Sequence, residues 1–415
     1  MSGSAHLWDA IIIGARVAGA TLAGYLGKAG IRTLLVERAR LPAYIPRQGS
    51  FEKPTEARWA EIGVMSKIDA TGAPVRRGYY TATEDAIAAY RFPLGDPAAY
   101  SRMVRRLVLD EILATHAGAM PSVELRMGVS ATELLWDGDR VVGVRLTESG
   151  RTYEERARIV VGADGRHSWL ARQVQADEYE RIPSPKANFI ADYAGTNVEP
   201  DMSVRVWDRV GSMGMVMMAE GLATVGMGVW LHEVEAFRAG LPDSFEQRLR
   251  RHPLYDRQIG NGKRVSPIGG ATTLTMYKRK PYGPGWALTG DAGYHLDPLA
   301  ARGTTAAVLT AALLSQAIRA HLSGELPEEQ AYRQFHAERD RQLQKEWDVT
   351  HAAIVRPAPN DREIAEARLI ADNPDLLAQH VEVVRGAGDA AAFRQTVDSL
   401  LGARVAAESS RGAGL

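Results

Sequence analysis

The sequence predicts an α/β fold: a domain built around a parallel sheet, interrupted by an inserted antiparallel-sheet domain and followed by a helical C-terminal tail. Three observations predict it. The chain opens with a strand, a glycine turn, a helix of small residues and a second strand. From about Glu178 to Ser266 the texture changes to alternating runs such as SVRVW (203–207) and ATVGMGVW (223–230). From Trp286 it returns to strand, glycine-rich turn and helix, and after Gly324 it is mostly helical. The boundaries drawn from these changes are 1–177 and 267–324 for the first domain, 178–266 for the insertion and 325–415 for the tail.

Taken in order, residues 8–13 (WDAIII) form a short apolar run of the kind found in buried parallel strands. Gly14 ends it. Residues 17–29 carry small residues at helical spacing, and Gly30 stops that helix; residues 32–37 (RTLLVE) form the second strand. Residues 39–54 hold three prolines and no period, so they read as a loop, with a helix near Ala57–Ile68. Residues 102–117 read as an amphipathic helix. Two strands are expected at Val123–Leu135 and Arg140–Thr147, joined by Asp137-Gly138-Asp139, and a buried strand at 158–162 (RIVVG).

Composition narrows the function. The 415 residues carry 50 Lys+Arg and 50 Asp+Glu, which argues against a nucleic-acid footprint or a polybasic membrane surface. There is no cysteine, hence no disulfide, thiolate zinc site or cysteine nucleophile, and no metal ligands are assigned. No apolar run reaches membrane-spanning length. The N-terminus MSGSAHLWDAIIIG lacks a charged leader and passes straight into a strand, so no signal peptide is read and a cytoplasmic enzyme is expected. The 40 glycines suit a backbone that approaches a cofactor.

The first turn reads Gly14-Ala15-Arg16-Val17-Ala18-Gly19. A dinucleotide fingerprint, G-x-G-x-x-G, uses its glycines for a tight turn, for backbone approach to a diphosphate and for close helix–strand packing. Here the first and third glycines stand and Arg16 occupies the middle place. The N–H groups of Val17, Ala18 and Gly19 open the helix and can bind an anion. Arg16 either reaches over that anion or points to solvent. Glu37, 23 residues after Gly14, closes the second strand where a carboxylate can accept from ribose hydroxyls, with Arg38 beside it.

Two further segments, VVGADGRHS (160–168) and LTGDA (288–292) running on to Asp297-Pro298 and Gly303, join this turn in order. Together they resemble FAD-dependent monooxygenases of the aromatic-hydroxylase type. The wider group includes flavin-dependent halogenases and geranylgeranyl reductases. The resemblance spans roughly residues 8–320. It implies an FAD-binding Rossmann-like domain holding non-covalent FAD, with NAD(P)H as electron donor. The resemblance implies that Asp291 accepts a hydrogen bond from the ribityl chain. Gly303, Thr304 and Thr305 present backbone N–H groups to the flavin N1 and O2 edge, and Pro298 lies against the ring. Asp164 belongs to the second cofactor motif. The arginine usual three residues after that motif's serine is replaced by Ala171, with Arg172 next to it. Arg106, with Arg102 as rival, matches the arginine that contacts the FAD phosphates, and the backbone of Val129 the place that meets adenine.

The implied reaction is hydroxylation or epoxidation of a small hydrophobic or aromatic substrate through a flavin C4a-hydroperoxide. The cofactor supplies the difficult chemistry while the protein excludes water and positions the substrate. His295, four residues past Asp291, either takes a phenol proton or bonds a carbonyl and shapes the loop. Arg47 either covers the flavin, binds an anionic substrate or stays exposed. Met213, Met215 and Met217 alternate onto one strand face, as a pocket wall or as core. Arg302, before Gly303, is a cation that could stabilise reduced flavin or an anionic ligand. The Trp-x-Trp-x-Ile-Pro motif of halogenases is absent from the eight tryptophans. A reductase, dehydrogenase or halogenase-like enzyme of the same fold, and a non-catalytic flavin-binding redox partner, are the alternatives. A separate flavin reductase is a possible electron source.

Overall fold

The computed structural model describes residues 7–43, 45, 48–93, 96, 100–218 and 221–412. The chain forms two compact units, each assembled from three segments. The first comprises Met1–Gly72, Val104–Pro185 and Thr273–Val355; the second comprises Ala73–Met103, Lys186–Thr272 and Arg356–Leu415.

In the first unit five strands run parallel in the order Trp286–Leu288, Arg151–Gly162, Leu7–Ile13, Thr33–Glu37 and Val123–Met127. Ile11 and Ile12 of the central strand are fully buried, and all five residues of Thr33–Glu37 are buried. Strands covered on both faces need such unbroken apolar runs. A hairpin, Val129–Asp137 and Arg140–Glu148, pairs antiparallel with the long strand Arg151–Gly162. A second, three-stranded sheet joins Glu178–Pro183, Thr275–Arg279 and Tyr294–His295. The helix Glu328–Val355 packs Leu343, Trp347 and Ile354 against Met276 and Tyr294 of that sheet.

The second unit is built on one mixed sheet. Its strand order is Lys263–Arg264, Lys186–Ala194, Leu222–Trp230, Gly211–Met217, Met202–Asp208, Gly78–Thr83 and Ala86–Arg91. Only the contact of Met202–Asp208 with Gly78–Thr83 is parallel among the pairings in this sheet's described residues. One face is sealed by the helices Val234–Ala239, Asp243–Arg251 and Pro253–Ile259 through Phe237, Phe245, Leu249 and Tyr255. Met213, Met215, Met217 and Met227 lie in that sealed core, so the methionine row packs against helices.

Several boundaries differ from the sequence reading, each for a local reason. The expected strand Val123–Leu135 is two strands, because Gly128 at φ +79° turns the chain out of the parallel sheet into the hairpin. The helix near Ala57–Ile68 is two helices, Lys53–Glu61 and Met65–Asp69, parted by Gly63 at φ +80°. The expected loop at 39–54 contains the strand Gln48–Phe51, and the helix at 102–117 starts at Arg106 after the strand Ser101–Arg105. Residues 178–185 and 325–355 sit with the parallel-sheet unit, since their strand and helix bury against Thr275–Arg279 and Tyr294. Residues 73–103 and 356–415 sit with the other unit, where Val381 packs on Tyr79 and Phe92.

Candidate cofactor site

The site is built where strands of the parallel sheet end and helices begin. Gly14 has φ +103°, and a Cβ there would lie 2.4 Å from the Ala163 carbonyl oxygen. At Gly19 a Cβ would lie 1.8 Å from the Gly14 carbonyl oxygen. Both positions thus require glycine, one for the turn and one for helix–turn contact. The helix Val17–Lys28 starts with no side chain capping its first N–H groups, and so does Gly303–Leu322. The first turn of the former and the second turn of the latter meet at Gly290. A Cβ there would lie 2.7 Å from the Ala18 Cβ and 3.7 Å from the Ala307 Cβ. Asp291 follows, part-exposed, on the short turn Gly290–Ala292. Thr310 Oγ1 anchors that turn by accepting from the Gly290 N–H at 3.0 Å and bonding the Thr289 hydroxyl at 3.1 Å.

The charged groups are arranged around Asp110, which sequence reasoning missed. Its carboxylate is fully buried and takes a two-pronged contact from Arg106, at 2.8–3.1 Å, while Arg16 Nη1 lies 3.5 Å away. Two guanidinium groups on one carboxylate leave a net positive charge beside the first helix start. The available signal was the four-residue spacing from Arg106 to Asp110. Arg102 instead reaches the Tyr100 hydroxyl.

Glu37 is buried, and its two oxygens accept from the Ala15 and Ala39 N–H groups at 3.0 Å each. It therefore pins the turn while keeping lone pairs for further donors. Arg38 is exposed. Val129 is buried at the head of its strand, paired with Glu148. Asp164 Oδ2 accepts from the Trp169 and Leu170 N–H groups at 2.6 and 3.2 Å, capping the helix Trp169–Gln173. Its Oδ1 is buried with no partner among the described residues. Arg172 donates to the His167 carbonyl. Pro298 is exposed at the head of a short turn, and Gly303, Thr304 and Thr305 are part-exposed in the first turn of their helix. Arg47 lies outside the described residues.

His295 is buried. Its Nδ1 donates to the Thr275 carbonyl at 2.7 Å, and its ring stacks on Tyr277 with centroids 5.3 Å apart. The hydrogen bond leaves Nε2 as the acceptor nitrogen. The Tyr277 hydroxyl lies 2.8 Å from both the Asp291 and Arg166 carbonyls, and burial pushes its pKa up, so it remains a donor. Behind it, fully buried Arg339 donates to the Arg279 and Gly293 carbonyls at 3.0 and 3.2 Å. Tyr277 and Arg339 thus hold the Asp291 segment from two sides. Arg302 is not a lone cation: it pairs with Glu52 at 2.6 Å and Glu346 at 3.3 Å. The positive charge expected at this place is offset by two carboxylates that are distant in sequence.

The FAD binding domain family matches residues 8–350. The chain belongs to this family. It is 26% identical over 305 residues to a digeranylgeranylglycerophospholipid reductase of Methanosarcina acetivorans, covering 72% of this chain and 71% of that protein. It is 26% identical over 402 residues to a probable NADH-specific resorcinol 4-hydroxylase of Rhodococcus jostii, covering 89% and 71%. The myxobacterial chondrochloren halogenase CndH shares the fold at a TM-score of 0.77 and 22% identity, covering 93% of this chain and 91% of that one. The protein is a flavoprotein oxidoreductase of this hydroxylase, monooxygenase and halogenase group. The residues present fit FAD: uncapped helix starts and the Arg16–Arg106 pair suit a diphosphate, and Glu37 and the part-exposed Asp291 suit hydroxyl donors. Among the described residues no helix is long and apolar enough to cross a membrane.

Proposed function

We propose that the protein is an FAD-dependent monooxygenase. It would place one atom of O2 into a small hydrophobic or aromatic substrate and release the other as water, with two electrons drawn from NADH or NADPH. The observation that carries the reading is the packing of two helices with uncapped starts against the Gly290–Asp291 turn. Bound FAD supplies the oxygen chemistry. In this reading the N–H groups of Val17, Ala18 and Gly19, with Arg16 and Arg106, hold the diphosphate; Glu37 and Asp291 hold ribose and ribityl hydroxyls. Asp164 serves as a further cofactor-side carboxylate, while the backbone of Val129 faces adenine and Arg38 lies at the cofactor's edge. Gly303, Thr304 and Thr305 turn backbone donors towards the ring edge that gains negative charge on reduction, and Pro298 lies against the ring. His295, held in one tautomer by the Thr275 carbonyl, keeps Nε2 ready to accept a substrate proton.

Similarity to the hydroxylase runs over 89% of this chain, against 72% for the lipid reductase, which favours oxygenation over prenyl-chain reduction. The missing tryptophan motif disfavours halogenation. The test is turnover under 18O2 with NADH and NADPH against a panel of phenols and aromatic acids, read by product mass. One 18O atom per product is expected. Halogenated product in the presence of halide, or a reduced product without oxygen, would replace this reading.

A further inference from the structure

The first unit carries a run of ring-bearing side chains that the proposed oxygenation does not use. Tyr179, on the strand Glu178–Pro183, meets His336 of the helix Glu328–Val355 with ring centroids 5.7 Å apart. His336 meets Tyr282 at 6.2 Å, and Tyr282 stacks on fully buried Tyr332 at 6.1 Å. These are contact separations for aromatic rings. Tyr282 also lines a surface cleft of 280 Å³, together with Trp286 and Trp136. Trp136 is the most exposed of the eight tryptophans. At the other end Arg339 Nη2 donates to the Tyr179 oxygen at 2.6 Å, while its Nη1 donates to the Gly293 carbonyl, two residues past Asp291. The run therefore leads from behind the Asp291 turn to solvent.

The tyrosines of this run have proton acceptors in place. The Tyr179 hydroxyl donates to Asp340 Oδ2 at 2.5 Å, and the Tyr282 hydroxyl donates to Glu329 Oε1 at 3.1 Å. A phenol that loses an electron becomes a strong acid, so its oxidation is easiest where a base already holds the proton. Arg339 Nη2 and His336 Nε2 both lie 2.6 Å from the Tyr179 oxygen, which therefore stays hydrogen-bonded once its own proton has left. A carboxylate partner alone does not mark such a site. Tyr25, Tyr80 and Tyr193 donate to Glu61, Glu199 and Glu246, yet their rings meet no other aromatic ring among the described residues. Only in the Tyr179–Tyr282 run do ring contact, a proton acceptor and an opening to solvent coincide.

We infer that Tyr179 and Tyr282 form a relay that carries stray oxidising equivalents away from the cofactor side to the cleft. A one-electron oxidant of the oxygen-radical class takes an electron from Tyr179, whose hydroxyl proton passes to Asp340. Tyr282 then gives an electron to Tyr179, which takes its proton back from Asp340, while the Tyr282 proton passes to Glu329. A small reductant of the ascorbate class at the cleft returns an electron to Tyr282, which regains its proton from Glu329. The net change is one electron moved from reductant to oxidant. This rests on the monooxygenase reading only for the source of the oxidant. The test is pulse radiolysis of the FAD-loaded enzyme with azide radicals, which oxidise tryptophan and so enter at Trp136. The indolyl absorbance should decay as phenoxyl absorbance rises, at a rate independent of protein concentration. Tyr282→Phe, which removes a ring hydroxyl and its proton transfer, should slow that rise by about tenfold or more, and Trp136→Phe should lower its amplitude. Freeze-trapped wild type should show the electron paramagnetic resonance of a hydrogen-bonded phenoxyl radical, and Tyr179→Phe should lose it. Tyr25→Phe should change neither readout. No concentration-independent transfer, wild-type kinetics in Tyr282→Phe, or an unchanged radical spectrum in Tyr179→Phe would overturn the inference. An enzyme that relays the oxidising equivalent yet never incorporates oxygen keeps the relay and loses the monooxygenase reading. One that incorporates oxygen without this transfer does the reverse.

Discussion

Replacing Gly19 with alanine sets two effects of known sign against each other. Alanine favours the helix interior by about 1 kcal/mol over glycine. Its Cβ, however, would stand 1.8 Å from the Gly14 carbonyl oxygen and 3.0 Å from the Ala163 Cβ. Restoring an ordinary contact of 3.4 Å from 1.8 Å requires about 1.6 Å of movement, and the obstructing atom is backbone in a turn pinned by Glu37. Overpacking of this kind costs typically about 1–3 kcal/mol, and more when backbone must shift. The clash therefore wins: Gly19→Ala should destabilise the protein by about 1–2 kcal/mol net. The larger effect should fall on FAD, because the displaced atoms are the ones that the proposed reading sets against the diphosphate. Affinity should fall by about tenfold or more, since about 1.4 kcal/mol of lost contact suffices. Thermal unfolding with and without added FAD, and equilibrium dialysis of the cofactor, read the two effects separately. Unchanged FAD affinity in a folded Gly19→Ala protein would refute the reasoning.

Three other substitutions follow from the geometry. Asp110→Asn should cost about 2 kcal/mol of stability by urea unfolding and weaken FAD binding. It leaves two arginines without their shared charge, the full cost of about 3–5 kcal/mol being reduced because Arg16 keeps partial solvent access. Burial works to raise the pKa of Asp340, but hydrogen bonds from His336 and Tyr179 and the charge of Arg339 overcome it and hold the carboxyl at about 2, below its ordinary 3.8. Its contribution is thus present above pH 3.8 and lost as pH falls through about 2. Wild type should lose about 2 kcal/mol relative to Asp340→Asn across that window in acid unfolding; parallel acid curves would contradict this. His295→Ala should lower product formation more than FAD content, and equal loss of both would reduce His295 to shaping its loop.

The parallel sheet, the glycine turn and the return to cofactor-type structure at Trp286 were legible because each is local. Buried strands appear as apolar runs, and helix starts appear next to glycines. What the sequence hid is tertiary. Asp110 looked like any charge on an amphipathic helix, and only the fold brings Arg16 to it. Arg302 looked like a free cation because Glu52 and Glu346 are far away in sequence. Gly128 and Gly63 each split an element that periodicity alone read as continuous. The Met213–Met217 alternation could not say which face of the sheet was sealed.

The most direct test of the account is FAD retention by Asp291→Ala measured beside wild type, with circular dichroism as the control for folding. The account predicts wild-type protein carrying one FAD per chain and a folded variant whose affinity is at least about tenfold weaker. A folded Asp291→Ala protein that holds FAD as tightly as wild type would contradict the placement of the cofactor on which the proposed chemistry depends.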